Sequence, residues 1–71
     1  MKIYNIFVPR SEYHRAKDLC TVIHNILRKR DWEISEDKLN KQIAKTIRER
    51  YTAAGGVKSL LEILTEYRRE L

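Results

Sequence analysis

Apolar residues recur along this chain with two different periods, and the change of period marks out its elements. Lys2–Val8, KIYNIFV, is β-branched and aromatic, and the pyrrolidine ring of Pro9 stops it, so it predicts one short strand. Its alternation is poor: Ile3, Tyr4, Ile6, Phe7 and Val8 place apolar groups on both faces. Such a strand requires cover on both sides, and its backbone requires a partner. Two partners are available, the segment Trp32–Ile34 and the same strand of a second chain.

From Ser11 the period becomes helical. Tyr13, Ala16, Leu19, Cys20, Ile23, Ile26 and Leu27 share one face of a helix running Ser11–Arg30. Ser11 is placed to cap it, with Glu12 in the first turn. Arg28, Lys29 and Arg30 close it at the negative end of its dipole. Asp31–Ile34 is a connection, in which Trp32 and Ile34, two apart, would face the core together if extended. Ser35 caps a second helix to Ala54, with Glu36 and Asp37 in its first turn. Leu39, Ile43, Ile47 and Tyr51 form its apolar face, and Lys38, Lys41, Lys45 and Arg48 lie opposite. Gly55-Gly56 ends it, because glycine accepts the left-handed conformation past a helix end. Val57, Leu60, Leu61, Leu64, Tyr67 and Leu71 mark a third helix from Val57 onward, and Lys58 and Glu62 are spaced to pair on it. The fold class expected is mainly α: one short N-terminal strand followed by a compact three-helix domain, β-α-α-α, occupying residues 1–71 as a single domain.

Composition bounds what such a domain does. At 71 residues it buries only about 60% of the surface its unfolded chain exposes, so a homodimer is an expected way to enlarge its core. One cysteine, Cys20, excludes an intrachain disulfide and suits a reducing compartment. No run approaches the ~20 apolar residues of a membrane span, and Ile3–Val8 is too short and too interrupted for a signal peptide. The expectation is a cytoplasmic protein with no membrane partner.

Charge then narrows the partners. There are 15 Lys and Arg against 10 Asp and Glu, a net +5. Residues 1–30 contain seven basic residues and two acidic ones, while residues 31–54 and 55–71 are each balanced, so the whole surplus lies in the first half. A basic surface on so small a domain points to an acidic partner, nucleic acid first. The candidate phosphate contacts are Arg10, Arg28, Lys29 and Arg30, with Lys2, Arg15 and Lys17 adding to the same surplus. The stripe Lys38, Lys41, Lys45 and Arg48 is a second surface. The candidate partner interface is Ile3, Tyr4, Ile6, Phe7 and Val8 of the strand, together with Trp32.

YNIFVPRSEYHRAKDL, a strand, a proline and an amphipathic helix, resembles the start of ribbon-helix-helix repressors. The resemblance implies that two chains pair their strands and insert the ribbon into the major groove, with Ile3, Asn5 and Phe7 toward the DNA. A helix-turn-helix around Gly55-Gly56 is a second arrangement, with Val57–Tyr67 as recognition helix. Other chemistry is weakly represented. Cys20 and His24 are i,i+4 neighbours, but a zinc site requires four ligands, or three and water, so no metal site is assigned. No paired carboxylates, activated nucleophile or phosphate loop is present, so no catalytic residue and no cofactor are assigned and an enzyme is not expected. The function expected is a small DNA-binding transcriptional regulator of phage or plasmid type, acting on double-stranded DNA. The alternative is a protein-interaction module: an antirepressor, an antitoxin or an inhibitor of a larger host protein.

Overall fold

The computed structural model describes residues 1–71. The element order is β1 Lys2–Ile3, β2 Ile6–Phe7, α1 Arg10–Arg30, α2 Glu36–Ala53 and α3 Leu60–Glu70. The expected mainly helical fold, with its N-terminal β element followed by three helices, is what the chain forms. No helix is long and apolar enough to cross a membrane.

The N-terminal stretch departs from a single strand. It doubles back on itself as an antiparallel hairpin, pairing Lys2 with Phe7 and Ile3 with Ile6. Tyr4 and Asn5 form the turn, with φ of 53° and 65°. Positive φ at both central positions is the two-residue turn whose twist matches that of paired strands. This turn resolves the poor alternation. A two-residue reversal brings Ile3, Ile6 and Val8 onto one face although their numbers differ in parity. Ile6 and Val8 are buried and Ile3 is half-buried, whereas Lys2 and Phe7 are exposed on the other face. The strand therefore pairs with the following residues of its own chain and not with Trp32–Ile34, which forms a turn. An intrachain hairpin is also not the two-chain ribbon of the repressors its sequence resembles.

The three helices enclose one core of Ile23 from α1, Leu39, Ile43 and Ile47 from α2, and Leu60, Ile63, Leu64 and Tyr67 from α3, with Ile6, Val8 and Ala16 at the hairpin end. The apolar faces expected for α1 and α2 are the ones that pack, except for Ile26, which does not join the core. Burying a side chain such as Leu64 or Ile47 fully stabilises by about 1.5–3 kcal/mol, so this small set holds most of the fold's driving force.

Helix boundaries follow local chemistry. α1 starts one residue before Ser11, with Pro9 in the capping position and no side-chain cap. Ser35 caps α2 as expected, its Oγ accepting from the Lys38 N–H at 3.2 Å. Past α2, the Gly55 N–H bonds to the Thr52 carbonyl and the Gly56 N–H to the Tyr51 carbonyl, with φ of 70° and 72°. That pair of bonds is the Schellman arrangement, which closes the open carbonyls of a helix end. α3 starts at Leu60 and not at Val57, because Ser59 caps it by accepting from the Glu62 N–H at 3.2 Å. Val57 is left 86% exposed outside the apolar stripe. Lys58 lies before the cap, outside helical geometry, and pairs with Glu66 at 2.9 Å, not with Glu62.

Candidate nucleic-acid interface

The α2 stripe loses its continuity once side chains are placed. Lys41 pairs with Asp37 at 3.0 Å and Lys45 lies 4.0 Å from Glu49, each one turn away on the same helix. Lys38 and Arg48 have no carboxylate partner, but ten residues of helix set them about 15 Å apart. At the far end, Arg50 grips Glu70 through two bonds of 2.6 Å and covers the Tyr67 ring at 4.8 Å. The pair shifts both groups toward their charged forms: Glu70 is held below the usual carboxylate range and Arg50 is raised. Lys58 is raised by its bond to Glu66 in the same way. Within the second half of the molecule, four of the eight cations are paired with carboxylates of the same half.

Arg28, expected as a phosphate contact, is engaged inside the molecule. Its Nη1 donates to the Trp32 carbonyl at 3.2 Å and to the Ile34 carbonyl, and its Nη2 donates to Glu36 Oε1 at 2.8 Å. The other Glu36 oxygen, Oε2, meets His24 Nε2 at 2.9 Å. Hydrogen bonds from His24 and then Arg28 hold the Glu36 carboxyl below the ordinary range. This cluster fastens the end of α1 to the start of α2 across the connection. Arg30 donates to the backbone oxygen of Leu71, tying the ends of α1 and α3. Of the three terminal cations of α1, only Lys29 is left projecting without an intramolecular acceptor.

The other cations of the first thirty residues are different. Lys2, Arg10, Arg15 and Lys17 are exposed and have no carboxylate within ion-pair distance. Arg10, His14 and Lys17 are spaced i, i+4 and i+7, which puts them on one edge of α1. The Lys17 ammonium lies 5.4 Å from the centre of the Tyr13 ring, and that ring meets His14 edge-on at 6.1 Å. An ammonium over an aromatic face gains modest attraction and keeps its charge. The Arg10/His14/Lys17 row is legible in the sequence from its spacing, although the Arg28–Arg30 run is the more conspicuous feature.

The expected partner interface divides in two. Ile6 and Val8 are buried and Ile3 and Tyr4 are half-buried against this chain's own core, so these four are occupied. Burial, together with the neighbouring Cys20 thiol, pushes the Tyr4 phenol far up, and burial also raises Cys20. Cys20 faces Tyr4 while His24 faces Glu36, so the two do not converge. Phe7 and Trp32 remain free, 66% and 75% exposed. Trp32 does not face the core beside Ile34; the Arg28 bonds to the carbonyls of both residues shape the turn that turns its indole outward. α3 does not suit a groove-reading role. Leu60, Ile63, Leu64 and Tyr67 commit one face to the core, and the outer one is of mixed charge, with Glu62 and Glu66 beside Arg69.

The largest concavity, about 560 Å³, is an open depression lined by Asp31, Glu33, Ile34, Ser35 and Lys38. It brings together no nucleophile and base. Comparison with protein-family models, with curated proteins and with solved structures gives no match to this chain.

Proposed function

We propose that this chain is a small nucleic-acid-binding protein, a regulator that holds the phosphates of DNA with Lys2, Arg10, Arg15, Lys17 and Lys29. The observation that supports this reading is the division of its charge. Carboxylates pair with four of the eight cations of the second half, Lys41, Lys45, Arg50 and Lys58, but with only Arg28 of the seven in the hairpin and α1. Cations without a carboxylate partner gain most from a polyanion, because binding releases the counterions condensed on it.

Titration of a labelled duplex across salt concentrations tests the reading. Each phosphate neutralised steepens the plot of log K against log salt by about 0.9. Replacing Arg10 and Lys17 together by Ala should flatten the slope by about two. Replacing Lys41, already paired with Asp37, should leave it unchanged. Failure to bind either duplex or single strand at about 50 mM salt would defeat the proposal.

A protein-interaction module is the second reading, favoured by the exposure of Phe7 and Trp32. Aromatic side chains are typical centres of binding energy at protein interfaces. A homodimer belongs to this reading. The hairpin removes one motive for it, since β1 already has a strand partner within its own chain.

A further inference from the structure

Resting on the nucleic-acid reading, we infer that the outer face of the hairpin is a stacking site for an unpaired base, so that the preferred ligand is single-stranded nucleic acid. Phe7 is 66% exposed, although the residues on either side of it, Ile6 and Val8, are buried. The buried pair fixes the backbone, and the ring stands on the opposite face. It is thus an aromatic side chain held outward by an anchored strand, not one displaced from the core.

Its neighbours are cations. The Val8 N–H donates to the Met1 carbonyl at 2.7 Å, and Lys2 is the cross-strand partner of Phe7. Lys2 and Phe7 therefore form the non-hydrogen-bonded pair of the ladder, where side chains lie closest, about 4.5 Å apart at Cα. Arg10 follows Phe7 by three residues, within about 11 Å along the chain. Neither Lys2 nor Arg10 has a carboxylate partner. Lys2 across the ladder and Arg10 three residues along the chain are the cations available to the phosphates of a base on the ring. Trp32 provides the contrast: it is more open than Phe7, but Asp31 and Glu33 flank it, and their charge repels a phosphate backbone.

A duplex hides its base faces, so a stacking ring distinguishes strands from duplexes where cations alone do not. Anisotropy titrations would use a labelled oligo(dT) of about twelve nucleotides and a duplex of equal length, at about 50 mM salt. The native chain should bind the single strand more tightly than the duplex. Phe7→Ala should weaken single-strand binding at least about fivefold and abolish the preference. Its salt slope should stay the same, because every cation remains, and its melting temperature should hold, because the ring is exposed. Phe7→Trp should restore the preference. Equal binding of strand and duplex by the native chain, or a Phe7→Ala variant that binds the strand as tightly as the native chain, would overturn the stacking site while leaving phosphate binding standing. Failure of both ligands to bind would overturn the nucleic-acid reading itself, and the stacking site with it.

Discussion

Arg28 separates a structural cation from a ligand-binding one, and its replacement can be worked through. Arg28→Ala removes donors from two backbone carbonyls, those of Trp32 and Ile34, and from the Glu36 carboxylate. The Arg28 side chain is 26% exposed, so water replaces these donors only in part. Hydrogen bonds to a charged group contribute about 1.5–3 kcal/mol when well buried. At this partly open corner about 1 kcal/mol for each carbonyl is the appropriate scale, so the loss is about 2 kcal/mol. In a domain of this size each kcal/mol moves the melting temperature by about 4–8 °C, so thermal unfolding followed by circular dichroism should shift down by about 8–16 °C. Arg28→Lys keeps the charge but replaces a planar fork by a single point, and should recover less than half of the loss. Nucleic-acid binding measured well below the transition should keep its salt slope. An unchanged melting temperature would refute the clamp. A slope reduced by about one, with native stability, would return Arg28 to the phosphate surface.

Gly55→Ala tests the end of α2. No atom lies within 4 Å of the added Cβ, so the effect is one of backbone conformation at φ +70° alone. The expected loss is about 1 kcal/mol, smaller for Gly55→Asn, and an alanine variant as stable as the native chain would show that α2 does not need this stop. The acid limb of stability should depend on Glu36 and Glu70. Both carboxyls are held below 4.5 in the folded state, so their contribution is present above that pH and is lost as the pH falls through their folded values. The melting temperature should fall below about pH 4.5 and fall less in a Glu36→Gln, Glu70→Gln double variant; a flat native profile from pH 5 to 3 would contradict this.

The helices were legible in the sequence because their signals are local. The residues that pack from α2, Leu39, Ile43 and Ile47, are the ones a 3.6-residue period selects, and Ser35 and Gly55-Gly56 bound the helix through bonds to their own near neighbours. The start of α3 was also readable: Ser59-Leu60-Leu61-Glu62 has the serine and glutamate spacing of a helix N-terminus, but the apolar Val57 masks it. Surplus charge in the first thirty residues follows from counting alone.

Tertiary structure decided what counting cannot. Two positive φ angles at Tyr4 and Asn5 turned one apparent strand into a hairpin; Asn5 tolerates that conformation, but Tyr4 gives no sign of it and the pair lacks the glycine of Asn-Gly. That turn set which side chains the core takes, placing Ile3, Ile6 and Val8 inward and leaving Phe7 beside Lys2. Charge, likewise, is a property of residues in sequence but of pairs in space. Arg28 and Arg10 look alike in the chain, yet Arg28 meets two carbonyls and Glu36 where α1 joins α2, and Arg10 meets no carboxylate. Which cations stay available to a ligand depends on distances between elements far apart in sequence, and only the packing of the helices sets those distances.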